Sequence, residues 1–246
     1  MTSPLVDFHR HFDLYENFPD NIGLASDAGV YALAVTTLPR AWPRNYNACS
    51  GRSVRAALGF HPQLAAAHSR EFNHWKEHAK DAKFIGEIGL DAGPQHYRSL
   101  DLQRSIFADI LTKCTTIGGK VLSVHSTRAA TQVLDMLDKL FRDPAGVVVL
   151  HWFTGGVSAT KRALDMGCYF SVNAAMARTP HGRKLISTIP QTRLLTETDG
   201  PFLKTDADED QREVLERLLG SISEIRGEDS DQLRSAVFAN LERLWH

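Results

Sequence analysis

Five of the eleven histidines, His9, His11, His61, His125 and His151, fall at or just past the ends of short apolar runs. Two carboxylates share that address, Glu87 in FIGEIGLD and Asp199 in LLTETDGP. Imidazoles and carboxylates gathered in one place suit a divalent ion, and a divalent ion suits hydrolysis, because it activates water at neutral pH. His9 and His11 stand two residues apart, so on an extended strand their side chains point to one side and can converge on a common ion. A His-x-His pair alone is weak, since many strands carry one without a metal; its weight comes from the further histidines and the Asp at other run ends. Neutral imidazoles with hard carboxylates fit Zn²⁺ or Mn²⁺, and two carboxylates leave Mg²⁺ open as well.

The apolar runs themselves number eight: Pro4 to Phe8, Val30 to Thr36, Val54 to Phe60, Lys83 to Ile88, Lys120 to Val124, Gly146 to Leu150, Cys168 to Val172 and Arg193 to Thr198. They are rich in β-branched residues and separated by stretches long enough for helical crossovers, which predicts parallel βαβ units. Leu100, Ile106, Phe107, Ile110, Leu111 and Ile117 keep helical spacing, as do Val133, Leu134, Leu137 and Leu140 with Phe141. After Asp199 two more helices are expected, the first carrying Val214, Leu215, Leu218, Leu219, Ile222 and Ile225, the second carrying Leu233, Val237, Leu241, Leu244 and Trp245 behind a cap at Ser230. Eight such units in 246 residues predict an α/β fold of the (β/α)8 TIM-barrel class, a single domain over 1–246 with an extra C-terminal helix. The functional residues would then gather at the C-terminal strand ends. A doubly wound open sheet is the rival architecture.

Composition narrows the function. With 43% hydrophobic and 23% charged residues the chain can bury a core, and 28 basic against 29 acidic side chains exclude a globally basic surface. Nucleic-acid binding, if present, must be local. Three widely spaced cysteines without a Cys-x-x-Cys pair point to a reducing compartment, and no run of eighteen apolar residues predicts a membrane span, so a cytoplasmic location is expected.

The ordered motifs carry more. DFHRH at Asp7 to His11, GFHP at Gly59 to Pro62, GEIGLD at Gly86 to Asp91, VHS at Val124 to Ser126, HWFTG at His151 to Gly155, TETDGP at Thr196 to Pro201 and ANLERLW near the C-terminus resemble, in order, those of the TatD family of metal-dependent deoxyribonucleases, within the amidohydrolase superfamily. The resemblance implies two divalent metal ions. One would be held by His9, His11, Glu87 and Asp199, the other by Glu87, His125 and His151, with Glu87 as the bridge. It further implies a phosphodiester hydrolase using a metal-activated water, with Asp199 taking the water's proton and His61 orienting the phosphate. Asp91, Glu197, Ser126, Arg128 and the Thr154-Gly155-Gly156 turn are candidates for supporting the ligands or contacting phosphate; for Asp91, Glu197 and Arg128 an ordinary loop ion pair is an equal alternative.

The expected substrate is DNA, single-stranded or at chain ends, with no membrane partner. Trp152, Phe153, Phe202, Phe60, Tyr97 and Trp42 are the aromatics near the mouth; most are expected to pack and one or two to stack on bases. The chain departs from the family where Lys204 to Arg212 reads KTDADEDQR, and where Gln63 follows GFHP in place of a frequent second His. One specialised branch left open is the TatD-like QatD component of bacterial phage-defence systems, which would add protein partners in a defence complex. Two other classes remain: a small-molecule amidohydrolase acting on an amide, lactone or phosphotriester, and a binding subunit of a larger complex. His74 and His78, at helical spacing but without the Glu of a zinc helix, read as surface residues; TGGVSATK fails the Walker spacing; the acidic stretch Asp206 to Asp210 reads as a solvated loop.

Overall fold

The structure, a computed structural model, describes residues 2–141, 145–203 and 210–246. Residues 204–209, and with them all of the acidic stretch except Asp210, lie outside the described residues. The strands are β1 (Leu5–Arg10), β2 (Val30–Val35), β3 (Val54–Leu58), β4 (Phe84–Gly89), β5 (Lys120–His125), β6 (Gly146–His151), β7 (Tyr169–Val172) and β8 (Leu194–Thr196). They are hydrogen-bonded to one another in chain order, β1 through β8. The chain after β8 returns to the first strand: the Asp199 N–H donates to His9 O and the His11 N–H to Gly200 O, each at 2.9 Å. Chain order with a last strand bonded back to the first is (β/α)8 topology; a doubly wound sheet shuffles its order.

The helices are α1 (Asp20–Asp27), α2 (Trp42–Ala48), α3 (Ala65–His68), α4 (Phe72–His78), α5 (Leu100–Ile117), α6 (Ala130–Leu140), α7 (Val157–Asp165), α8 (Ala174–Ala177), α9 (Pro180–Thr188), α10 (Gln211–Arg226) and α11 (Ser230–Trp245). The two C-terminal helices match expectation except at one cap. Asp229, not Ser230, precedes α11, in extended conformation and accepting the Gln232 N–H; the carboxylate one residue upstream supplies the acceptor that the serine was expected to provide. Among the described residues no helix is long and apolar enough to cross a membrane. Cys49, Cys114 and Cys168 are buried thiols, and burial pushes the first two up to about 12, which leaves them protonated and unreactive.

Two compact units divide the contacts, one made of residues 1–34, 45–55 and 170–246, the other of 35–44 and 56–169. In the first unit β1 pairs with β2 in parallel, Leu5 opposite Val30, and β7 with β8, Phe170 opposite Leu194. α10 and α11 bury Leu215, Leu218, Ile222, Leu233 and Leu241, each worth about 1.5–3 kcal/mol of apolar burial. Asn240 then pins α11 by donating to the carbonyls of Gln191 and Leu194.

In the second unit Phe72 stacks on Trp75, and the buried indole N–H donates to Leu58 O. The Lys120 ammonium, buried at the start of β5, donates to Ala79 O, Lys80 O and Ala82 O. Its charge is tolerated because three carbonyls replace water, although burial lowers its pKa. Two of the strands that carry site carboxylates or imidazoles break regular pairing there: β1 between Asp7 and Arg10, and β4 between Ile85 and Ile88. A break in register re-aims side chains at a sheet end.

Candidate metal centre

In the first unit, strand alternation puts Asp7 and His9 on one face of β1, and His11 continues that face just beyond it. All three are fully buried. Nε2 of His9 and Nε2 of His11 lie 3.8 and 3.7 Å from Asp199 Oδ1. Those gaps exceed hydrogen-bond length. They match the separation of donor atoms that each sit about 2.0–2.2 Å from one shared ion. His9, His11 and Asp199 thus form one candidate ion-holding group.

Asp199 reaches this position on a backbone with φ of +53°, unusual for a non-glycine residue, and the surrounding bonds hold it there. Asp7 is the anchor. Its carboxylate accepts the Thr198 N–H at 2.8 Å, the Thr198 hydroxyl at 2.7 Å and the Gln211 amide at 2.7 Å. Burial pushes the Asp7 carboxyl above the usual carboxylate range, opposed by the Arg10 charge and by these hydrogen bonds. Asp7 carries no role within the DFHRH motif as read from sequence; its signal is its place two residues before His9 on an alternating strand.

In the second unit, Glu87 is the hub. Its Oε1 lies 2.6 Å from His125 Nδ1, 3.2 Å from His61 Nε2 and 3.7 Å from His151 Nε2. The carboxylate is buried and its backbone is clamped: Glu87 N–H donates to Thr36 O, and Phe60 N–H to Glu87 O. Gly59 permits this clamp, because a Cβ there would meet Thr36 O at 1.7 Å and Glu87 N at 2.5 Å. His125 is held from its other side by Asp91, with Nε2 to Oδ2 at 3.0 Å. Burial opposes charge on that imidazole, but the hydrogen bonds to Asp91 and Glu87 outweigh it and lift its pKa to about 9. Asp91 is affected in the opposite sense: burial would raise it, yet bonds from His125, Gln63 and the Gly93 N–H hold its carboxyl well below the usual range.

His61, Glu87 and His125 form the candidate ion-holding group of this unit, and His151 also faces Glu87. His61 turns its Nε2 to Glu87, while its Nδ1 accepts the Gln63 N–H at 3.1 Å. Gln63, noted as a departure from the family pattern, also donates its amide to Asp91 at 2.8 Å. Of the remaining candidates, Glu197 is an interior acceptor. It is buried, accepts from the Ser171 hydroxyl and takes the Asn173 amide at 2.9 Å, tying β7 to the segment before Asp199. Asp91 is bonded to a candidate ligand, His125, through a contact that is also an ion pair when the imidazole is charged. Arg128 is exposed with φ of +53°, and Ser126 is buried. In the Thr154-Gly155-Gly156 turn, Gly156 begins α7, its carbonyl accepting the Thr160 N–H.

Phe60, Phe153 and Trp42 are buried packing residues, whereas Phe202 and Tyr97 are exposed. Phe202 sets its ring edge-on to His11, 5.0 Å between centroids. His74 is exposed beside Glu77, and His78 packs on Trp42.

Parallel strands in barrel order, with buried imidazoles and carboxylates at their C-terminal ends, define a (β/α)8 barrel with candidate metal-holding groups at its strand ends. The chain belongs to the TatD family: residues 6–246 match the family described as TatD related DNase. A "Deoxyribonuclease Tat-D" of Schizosaccharomyces pombe is 30% identical over 118 residues, 48% of this chain and 38% of the relative, so the chain spans well under two thirds of that protein's length. A "3'-5' ssDNA/RNA exonuclease TatD" of Klebsiella pneumoniae is 26% identical over 239 residues, 91% of this chain and 90% of the relative. The crystal structure of YjjV, a TatD homologue from Escherichia coli, superposes with a TM-score of 0.85 at 23% identity, covering 99% of this chain and 98% of that one. That likeness shows the fold.

Proposed function

We propose that the protein hydrolyses phosphodiester bonds of single-stranded nucleic acid, working from chain ends, with two divalent ions. His9, His11 and Asp199 hold one ion, and Glu87, His125 and His151 hold the second; in the family pattern Glu87 serves both. The observation that carries this reading is the pair of buried imidazole nitrogens set 3.7 and 3.8 Å from one Asp199 oxygen. Divalent ions so placed supply a more acidic water and positive charge opposite the phosphoryl oxygens.

The chain's own residues do the remainder. Asp199 takes the proton of the attacking water on its carboxylate, a role suited to a group whose backbone is fixed by its N–H bond to His9 O. His61 keeps Nδ1 occupied by the Gln63 amide, so Nε2 is the nitrogen that reaches a phosphoryl oxygen when substrate displaces its contact with Glu87. Asp91 holds His125 in orientation through its second nitrogen. The names of curated relatives, an exonuclease of single-stranded DNA and RNA among them, support this substrate class.

The test uses metal-free protein restored with Mg²⁺, Mn²⁺ or Zn²⁺, incubated with end-labelled single- and double-stranded DNA and RNA, with Asp199→Ala as control. Metal-dependent shortening from one end, absent in the control, is expected. Equal cleavage by the control, or cleavage of amide and lactone substrates in place of oligonucleotides, overturns it.

A further inference from the structure

A cavity of about 440 Å³ opens in the first unit where α8, α9 and α10 meet. Three arginines line it, Arg178, Arg183 and Arg217, against one carboxylate, Glu224. Three positive charges less one negative leave a local excess of two, in a chain whose net charge is −1. All three arginines are exposed, and no aromatic residue is among those lining the cavity. The Arg178 guanidinium makes no hydrogen bond or ion pair among the described residues, and Arg183 donates only to Ala177 O, at 3.4 Å.

The cavity is tied to the candidate centre through the chain. α8 begins directly after Asn173, at the C-terminal end of β7. Asn173 caps α8 by accepting the Met176 N–H and donates its amide to Glu197, two residues before Asp199. α9 is pressed against α8 because Gly182 has no side chain: a Cβ there would meet Met176 O at 2.2 Å. That approach sets Arg178 and Arg183 on either side of the α9 N-terminus, where Thr179 accepts the Gly182 N–H.

We propose that this cavity is a backbone-phosphate subsite, holding the substrate strand at nucleotides beyond the one being cleaved. The proposal rests on the nucleic-acid reading above. A planar guanidinium grips a phosphate in two-pronged fashion, and a wall of arginines without aromatics favours phosphate over a stacked base. Such contacts position a strand without reading its sequence.

The test compares the full-length, metal-loaded protein with its Arg178→Gln/Arg183→Gln variant on an oligonucleotide of about twelve residues and on a dinucleotide. The variant should raise KM for the longer substrate about tenfold while kcat moves less than about twofold. Anisotropy titrations of the labelled oligonucleotide, with chelator to stop turnover, should show the salt dependence of binding falling by about 0.7 in log–log slope per arginine removed. Lys161→Gln, an exposed charge on α7 outside the cavity, should change neither. An unchanged KM, an equal rise for the dinucleotide, or equal losses in Lys161→Gln overturns the subsite.

Competition by a mononucleotide as strong as by the oligonucleotide would assign the cavity to a free phosphate monoester and also overturn it. If the wild type cleaves no oligonucleotide, arginine-dependent binding of the strand still supports the subsite and sinks only the nuclease reading. Arginine-independent binding sinks the subsite.

Discussion

The two imidazole–carboxylate clusters are built from the same side-chain types and stand in opposite states. Around Asp199 the donor atoms are spread to 3.7 and 3.8 Å, beyond hydrogen-bond reach. Around Glu87 they have closed up, with His125 held at 2.6 Å on one side and by Asp91 at 3.0 Å on the other. The first cluster is shaped by the backbone: Asp7 holds Thr198, which leads into Asp199. The second is shaped by protons shared between side chains. In the second, an ion must replace the proton between His125 and Glu87.

The largest test of that contrast is Asp199→Ala. It should reduce metal-dependent cleavage on the order of a thousandfold or more, and elemental analysis should find one ion fewer per chain while the far-ultraviolet spectrum stays that of the wild type. A loss confined to stability would erase the distinction between the clusters. Asp91→Asn touches only the second. Removing the charge behind His125 should weaken ion binding there by roughly 10–100-fold, read by titration calorimetry, and leave the ion at His9, His11 and Asp199 in place. Equal weakening of both ions would show that the clusters do not fill separately.

A third test is pH. In the metal-free protein the His125 pKa stands raised from 6.5 to about 9. The proton is bound more tightly in the folded state than in the unfolded one, so its stabilising contribution is full below about pH 6.5 and is lost as pH rises through about 9. Urea midpoints measured across that window should converge between wild type and His125→Gln at the alkaline end; a constant difference would contradict the proton-filled state. The smallest effect is expected from Gln63→Ala, which removes one donor from Asp91 and should cost about 1 kcal/mol, a fall of roughly 2–4 °C in Tm by calorimetry.

Much of this was legible in the chain. The eight apolar runs coincide with the eight strands, since parallel strands covered on both faces must be apolar along most of their length and so stand out from the helices between them. His9, His11, Glu87, His125, His151 and Asp199 were legible because polar side chains at the ends of such runs have no packing reason to be there. What stayed hidden depends on contacts distant in sequence. Asp7 gains its meaning from Thr198 and Gln211, roughly two hundred residues away. Glu197, equally readable as a supporting residue or a loop ion pair, is an interior acceptor for Ser171 and Asn173. Gln63 read as a departure from pattern, and its use as a donor to Asp91 required the folded geometry. The cap of α11 shifted by one residue because Asp229 and Ser230 are both good caps, and periodicity alone does not choose between neighbours.

The approach of Gly59 to Thr36 and Glu87 has a bearing on heat. A contact with no spare volume works only while the strand ends stay in register, and fraying at a strand end needs far less free energy than global unfolding. Catalytic competence should therefore be lost on warming before the helices melt, and be recovered on cooling.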